Sequence, residues 1–170
     1  MRYFSDLFRD VFQIAYVTED IDEATSYFES TLGTVKCDTH YGSNLGGLVV
    51  VDGEPVDEWV IDVALVNAGP TNLEIIRPVS GAVDLYRAGI RPGAPATFHH
   101  LAFRADFDEA SEALAACGKQ WKQYGHIPDA IRFGYVDLTA ELGHHVEIMD
   151  MEPSTIDRFA ELERLSNLPR

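Results

Sequence analysis

Apolar positions along the chain follow two rhythms. Runs rich in β-branched and aromatic residues, bounded by turn formers, predict strands at GGLVVVDG, WVIDVALVN, TNLEIIRP, FGYVDLTA and HHVEIMD. Two other stretches carry helical spacing. Asp20 precedes Ile21, Ala24, Tyr27, Phe28 and Leu32, one apolar face that Gly33 closes. Asp106 precedes Phe107, Ala110, Ala113 and Leu114, closed by Gly118. An Asp at the start accepts hydrogen bonds from the free N–H groups of the first turn, and Gly suits the left-handed residue after the last. A terminal helix is predicted over PSTIDRFAELERL, with Ser154 or Thr155 as cap and Ile156, Phe159, Ala160 and Leu162 on its apolar side.

The pattern repeats. FQIAYVTEDIDEA, from Phe12, aligns with HHLAFRADFDEA, from His99, so that Gln13 matches His100 and, after a one-residue gap, Asp20 matches Asp106. Later LEII (73–76) answers VEIM (146–149) in the same order. Each copy reads as β-α-β-β-β: a first module over 11–78, a Gly- and Pro-rich linker with one helical turn over 79–97, a second module over 98–151, and a C-terminal helix over 152–170. The expected class is α+β, a single domain in which two βαβββ modules form a curled mixed sheet around one cavity.

Hydrophobic content of 46% and charged content of 24% fit a globular chain, and no apolar run approaches the roughly 20 residues of a membrane-spanning helix. MRYFSDLFRD has no apolar core of a secretory signal, so a cytoplasmic location is expected. The net charge of −15 has the wrong sign for nucleic acid or an anionic membrane surface. Cys37 and Cys117 form no CxxC pair and are read as free thiols.

Alternation along strands sorts the polar residues by face. Gln13 shares a face with Ala15 and Val17, Glu74 with Asn72 and Ile76, His100 with Ala102 and Arg104, and Glu147 with His145 and Met149. Four metal-competent side chains therefore occupy two pairs of repeat-equivalent positions. A pseudo-twofold packing of the modules would aim all four into one space. The same alternation sends His99 to the face opposite His100. His145, His40 and His126 are read as surface residues, and Tyr135, Phe133, Trp59 and Trp121 as packing residues. Arg104 would meet an anionic substrate group or form a surface ion pair.

FQIAYVTEDIDEATSYFESTLG, NLEIIRP, FHHLAFRADFDEA and LGHHVEIMD resemble the vicinal oxygen chelate superfamily, which includes glyoxalase I, methylmalonyl-CoA epimerase, extradiol dioxygenases and bleomycin-resistance proteins. The resemblance implies metal ligands on the first and fourth strands of each module, here Gln13, Glu74, His100 and Glu147, a set like that of some glyoxalase I enzymes. One imidazole, one amide oxygen and two carboxylates suit a divalent ion such as Zn, Ni, Co, Mn or Fe(II), with two octahedral positions left for a small substrate bearing oxygens on neighbouring carbons. The implied reaction is a glyoxalase-type isomerisation, epimerisation or lyase step: the metal polarises a carbonyl while a carboxylate, Glu147 first and Glu74 second, shuttles the proton. A homodimer is the expected assembly. Rival readings are a metal-free drug-sequestering protein, an acyl-CoA epimerase and an extradiol dioxygenase. Against the last two stand the scarcity of basic residues beyond Lys119, Lys122 and Arg132, and the presence of Gln13 and Glu74 where a dioxygenase needs a second histidine.

Overall fold

A computed structural model describes Phe8 and residues 10–167. The first repeat forms β1 (Val11–Val17), α1 (Ile21–Ser30), β2 (Asp38–Asn44), β3 (Val49–Val51), β4 (Glu54–Pro55), β5 (Trp59–Ala68) and β6 (Thr71–Gly81). A short α2 (Asp84–Arg87) follows. The second repeat forms β7 (Thr97–Arg104), α3 (Phe107–Ala116), β8 (Gln123–Ile127), β9 (Ile131–Leu138), α4 (Thr139–Leu142) and β10 (His144–Met151), and α5 (Pro153–Ser166) ends the fold. Among the described residues no helix is long and apolar enough to cross a membrane.

The ten strands of the described residues belong to one sheet, ordered β2-β5-β6-β1-β7-β10-β9-β8-β3-β4. β1 runs parallel to β6, β7 runs parallel to β10, and the two repeats join through the antiparallel pair β1–β7. One chain therefore builds the shared interior from both repeats. β2 and β3 are consecutive in sequence yet lie near opposite ends of the sheet. Their four-residue connection spans less than about 18 Å, so the sheet must curl until its edges approach.

α1 and α3 pack on the outer face of the sheet. Asp20 caps α1 by accepting from the backbone N–H groups of Asp22 (2.9 Å) and Glu23 (3.0 Å), and Asp106 caps α3 by accepting from that of Glu109 (2.8 Å). α1 buries Ile21, Ala24 and Phe28 against Ala64, Val66 and Ile75; α3 buries Ala110, Ala113 and Leu114 against Val136, Val146 and Ile148. Each large side chain so buried contributes about 1.5–3 kcal/mol.

Several sequence expectations are corrected. DTHYGSN and QYGHI, read as loop, are β2 and β8; their Gly and polar residues hid the strand signal, and ladder pairing with β5 and β9 supplies what propensity does not. The strand in GGLVVVDG leaves its own repeat and pairs with β8. Tyr27 and Leu32 are 40% and 57% exposed, so the buried face of α1 turns toward Thr25 instead. α5 starts from Glu152 with no side-chain cap, because the Thr155 hydroxyl donates to Ala130 O instead. Ile156 is 41% exposed and Ala160 is exposed as well; Phe159 and Leu162, half-buried, line a cavity beneath the helix, and Leu165, 46% exposed, stands at its mouth. The linker is no passive connection: Val83, Leu85 and Tyr86 plug the interior cluster with Trp59, Phe133 and Tyr135.

Candidate metal centre

Strand register brings the polar residues together in two adjacent rows across the concave face. One row runs Leu65, Glu74, Ala15, His100, His145; the next runs Asn67, Asn72, Gln13, Ala102, Glu147, Tyr135, Gln123. Glu74 and His100 thus flank Ala15, and Gln13 and Glu147 flank Ala102. Both alanines are fully buried, and their methyl groups leave room between the longer side chains.

Ligand atoms of Glu74, His100 and Glu147 all lie within 4.8 Å of one another. His100 Nε2 is 3.0 Å from Glu147 Oε2 and 3.6 Å from Glu74 Oε2. Neither contact forms an aligned hydrogen bond: His100 Nε2, Glu74 Oε2, Glu147 Oε2 and Gln13 Oε1 are all buried without a partner. Four orphaned polar atoms on adjoining positions are costly in a folded interior. A divalent cation is the group that satisfies one imidazole nitrogen and three oxygens together, so the donor set fits one.

Gln13 is oriented from behind. Its Nε2 donates to Asn72 Oδ1 (2.9 Å), and Asn72 Nδ2 donates to Asn67 Oδ1 (2.9 Å). That amide ladder occupies the nitrogen and leaves the Gln13 carbonyl oxygen free.

His100 is held in the same manner. β7 carries a bulge opposite Ala15 and Tyr16, which pair with His100 and Phe98 and skip His99. The bulge turns His99 inward, against the expectation from alternation. Its Nε2 lies 3.1 Å from Leu85 O, and its Nδ1 lies 2.9 Å from His100 Nδ1. A carbonyl only accepts, so His99 Nε2 carries the proton and its Nδ1 is bare. Burial and the neighbouring His100 and His145 depress the His99 pKa to about 2, keeping it neutral. His100 must then donate from Nδ1, which leaves the lone pair of its Nε2 toward the two glutamates. A matching bulge in β1 skips Phe12, the repeat partner of His99, and brings it into the interior cluster.

Burial dominates the electrostatics. It raises the Glu147 carboxyl to about 8 against an opposing hydrogen bond from Tyr135, and raises Glu74 well above the usual range with Glu147 adding to the effect. Burial lowers His100 to about 3, with His145 and His144 contributing. The His100–Glu147 contact is therefore between neutral groups and not an ion pair. His145 is mostly buried, its ring 4.7 Å from that of His99 and its Nδ1 3.7 Å from Asp137 Oδ1, which corrects its assignment to the surface. Glu74 retains 15% side-chain exposure, against 0% for His100 and 4% for Glu147, so it marks the open side of the site.

Sequence reasoning missed Asn67, Gln123 and Tyr86. Gln123 Nε2 donates to the Tyr86 hydroxyl (3.0 Å), and its own Oε1 is buried without a partner. Gln123 fell in a stretch read as loop and Tyr86 in the linker; no local signal distinguished either.

The family described as the glyoxalase/bleomycin resistance protein/dioxygenase superfamily matches residues 12–135. No curated protein matches the sequence. Similar solved structures include methylmalonyl-CoA epimerase from Mycobacterium tuberculosis, 12% identical with a TM-score of 0.58, covering 87% of this chain and 91% of that one. A hypothetical protein from Bacillus halodurans C-125 is 13% identical with a TM-score of 0.56, covering 83% and 93%. A methylmalonyl-CoA epimerase in complex with methylmalonyl-CoA and NH4+ is 15% identical with a TM-score of 0.54, covering 86% and 96%. At these identities the likeness is one of fold.

Proposed function

The chain belongs to the glyoxalase/bleomycin resistance protein/dioxygenase superfamily, and from that premise we propose that it is a divalent-metal-dependent enzyme of the isomerase or epimerase type, moving a proton between adjacent carbons of a small oxygenated substrate. The observation that carries this reading is the set of four buried, unpartnered donor atoms on Gln13, Glu74, His100 and Glu147.

These four side chains would hold the ion, whether Zn, Ni, Co, Mn or Fe(II). When bound, it would supply electrophilic polarisation of a substrate carbonyl. The remaining roles belong to the chain. Glu147 takes the proton from the carbon beside the carbonyl and returns it to the neighbouring carbon or to the other face. In the metal-free chain burial raises its carboxyl to about 8; a bound cation would favour the deprotonated carboxylate, the form that accepts a proton. Glu74, on the open side, is the second carboxylate of the shuttle. The dry surroundings of Tyr86, Tyr135 and Phe133 keep solvent from quenching the transferred proton. Lys119, Lys122 and Arg132 are each engaged by carboxylates, which leaves none of them free for the phosphates of a CoA carrier.

The test is elemental analysis of untagged protein purified without added metal, beside His100→Ala and Glu147→Gln. About one equivalent of a transition metal in the wild type and a sharp loss in His100→Ala support the site. Glu147→Gln is expected to lose about 10²- to 10⁴-fold in exchange of the substrate C–H with deuterated solvent. Metal in no sample, and none after dialysis against Zn, Ni, Mn or Fe(II), overturns the proposal.

A further inference from the structure

Among the described residues Arg104 forms no ion pair. The other described lysines and arginines pair with carboxylates, except Lys36 and Arg91, which lie open to solvent. Arg104 is half-buried, has no acidic partner among the described residues, and its Nε is buried without a hydrogen-bond acceptor. In a chain of net charge −15, an arginine left unpaired while partly desolvated needs a reason.

Its position supplies one. Arg104 follows Ala102 by two residues on the same face of β7, about 7 Å along the strand. Ala102 lies between Gln13 and Glu147. The guanidinium sits over the ring of Phe12, 4.5 Å from its centroid. Phe12 meets Phe159 of α5 edge-on, with centroids 5.6 Å apart. Phe159 and Met149, the register partner of Arg104, both line a cavity of about 340 Å³ beneath α5. Leu65, Ile131, Leu162 and Leu165 complete the apolar wall used here, and Leu65 is the register partner of Glu74, the exposed edge of the metal centre. The charged residues of the rim are Asp38, Arg158 and Glu161, and Arg158 is already engaged by Asp38 and His40. Among the described residues Arg104 is thus a cation without an ion pair on the face that carries Gln13 and Glu147, linked through Phe12 and Phe159 to the wall of the cavity.

We propose that the substrate is a small carboxylate bearing an apolar substituent, with Arg104 receiving the carboxylate and the cavity beneath α5 receiving the substituent. This rests on the isomerase or epimerase reading for the chemistry, but the recognition itself needs no metal. A guanidinium backed by an aromatic ring is preorganised for a planar carboxylate and forms charge-assisted hydrogen bonds with it. The net charge of −15 disfavours a polyanionic carrier more than a monoanion, so the free acid is favoured over a CoA thioester.

The experiment uses metal-free full-length protein and two probes of the same shape, 3-phenylpropanoate and 3-phenylpropanamide, titrated by NMR with shifts followed at Phe159 and Met149. The acid is expected to bind about tenfold or more tightly than the amide. Arg104→Met, which keeps the stem over Phe12 and removes the charge, is expected to abolish that preference, and Arg104→Lys to retain part of it. Equal binding of acid and amide, no binding of the acid at millimolar concentration, or an undiminished preference in Arg104→Met overturns the proposal and leaves Arg104 as a packing partner of Phe12. Should Arg104→Met not fold, the wild-type pair of probes and Arg104→Lys decide alone. Metal content of the same preparations is read separately, so a failed carboxylate preference does not bear on the metal site, nor the reverse.

Discussion

Ala15 and Ala102 bear no functional group, yet each sits between two of the donors, and their size is what lets side chains from four strands converge. His99 acts at the same scale through its ring nitrogens: its contacts with Leu85 O and His100 Nδ1 fix which nitrogen of His100 is bare. Replacing His99 by Leu removes the acceptor for His100 Nδ1 and is expected to weaken metal affinity about 10- to 100-fold. Gln at this position offers both an acceptor and a donor and should restore much of the affinity, which a role in packing alone would not predict. Competition titration of Co(II) or Zn against a chelator measures both variants. Equal affinity of His99→Leu and wild type would remove His99 from the account.

At the scale of elements, the two β-bulges and α2 act together. Bulges at Phe12 and His99 turn side chains inward that plain alternation sends out, and α2 supplies both the carbonyl of Leu85 and the plug of Tyr86. Gly89, just after α2, is wedged against His99: an added Cβ would lie 2.9 Å from His99 Cδ2 and 3.3 Å from Val17 Cγ2. Gly89→Ala is therefore expected to destabilise the protein by about 1–3 kcal/mol through overpacking and to loosen His100 with it. Urea denaturation alongside metal titration checks both; unchanged stability would show that α2 can back away. The caps of α1 and α3 were legible from local sequence, since Asp20 and Asp106 act within their own turns, whereas α5 forms without the side-chain cap its sequence offered. The bulges were not, because a bulge depends on how one strand registers with its neighbour.

For the whole molecule, the buried charges set how stability responds to pH. Glu147, raised to about 8, and Glu74, also raised, bind protons in the folded state that the unfolded chain releases near 4.3. This contribution is full below that value and is lost as pH rises toward 8. His99 and His100, lowered to about 2 and 3, act oppositely: the unfolded chain holds their protons up to about 6.5, so stability rises with pH until then. The two trends offset between about pH 4.3 and 6.5. From about 6.5 to 8 only the carboxyl term remains, and metal-free protein is expected to lose stability there. Saturating metal should cancel the fall, because bound ion requires the deprotonated carboxylates. Thermal unfolding across this window with and without metal is the measurement; a flat metal-free profile would mean that the glutamates are not held protonated.

What the sequence determined by itself is whatever lives in short-range pattern. The repeat, the caps of α1 and α3 and the α+β class follow from spacing within single segments; the family resemblance implied that Gln13, Glu74, His100 and Glu147 form one set, and the structure brings the last three together within 4.8 Å. Only the tertiary structure decided that the repeats join through β1 and β7 inside one chain, and that β3 crosses to the far edge of the sheet. It also decided that Asn67, Asn72 and His99 orient the donors and that Arg104 has no ion pair among the described residues. The physical reason is one of range. Helical and strand periodicity are set by neighbours a few residues away, whereas register, bulges and the pairing of buried polar atoms join residues tens of positions apart, about which local sequence carries no signal.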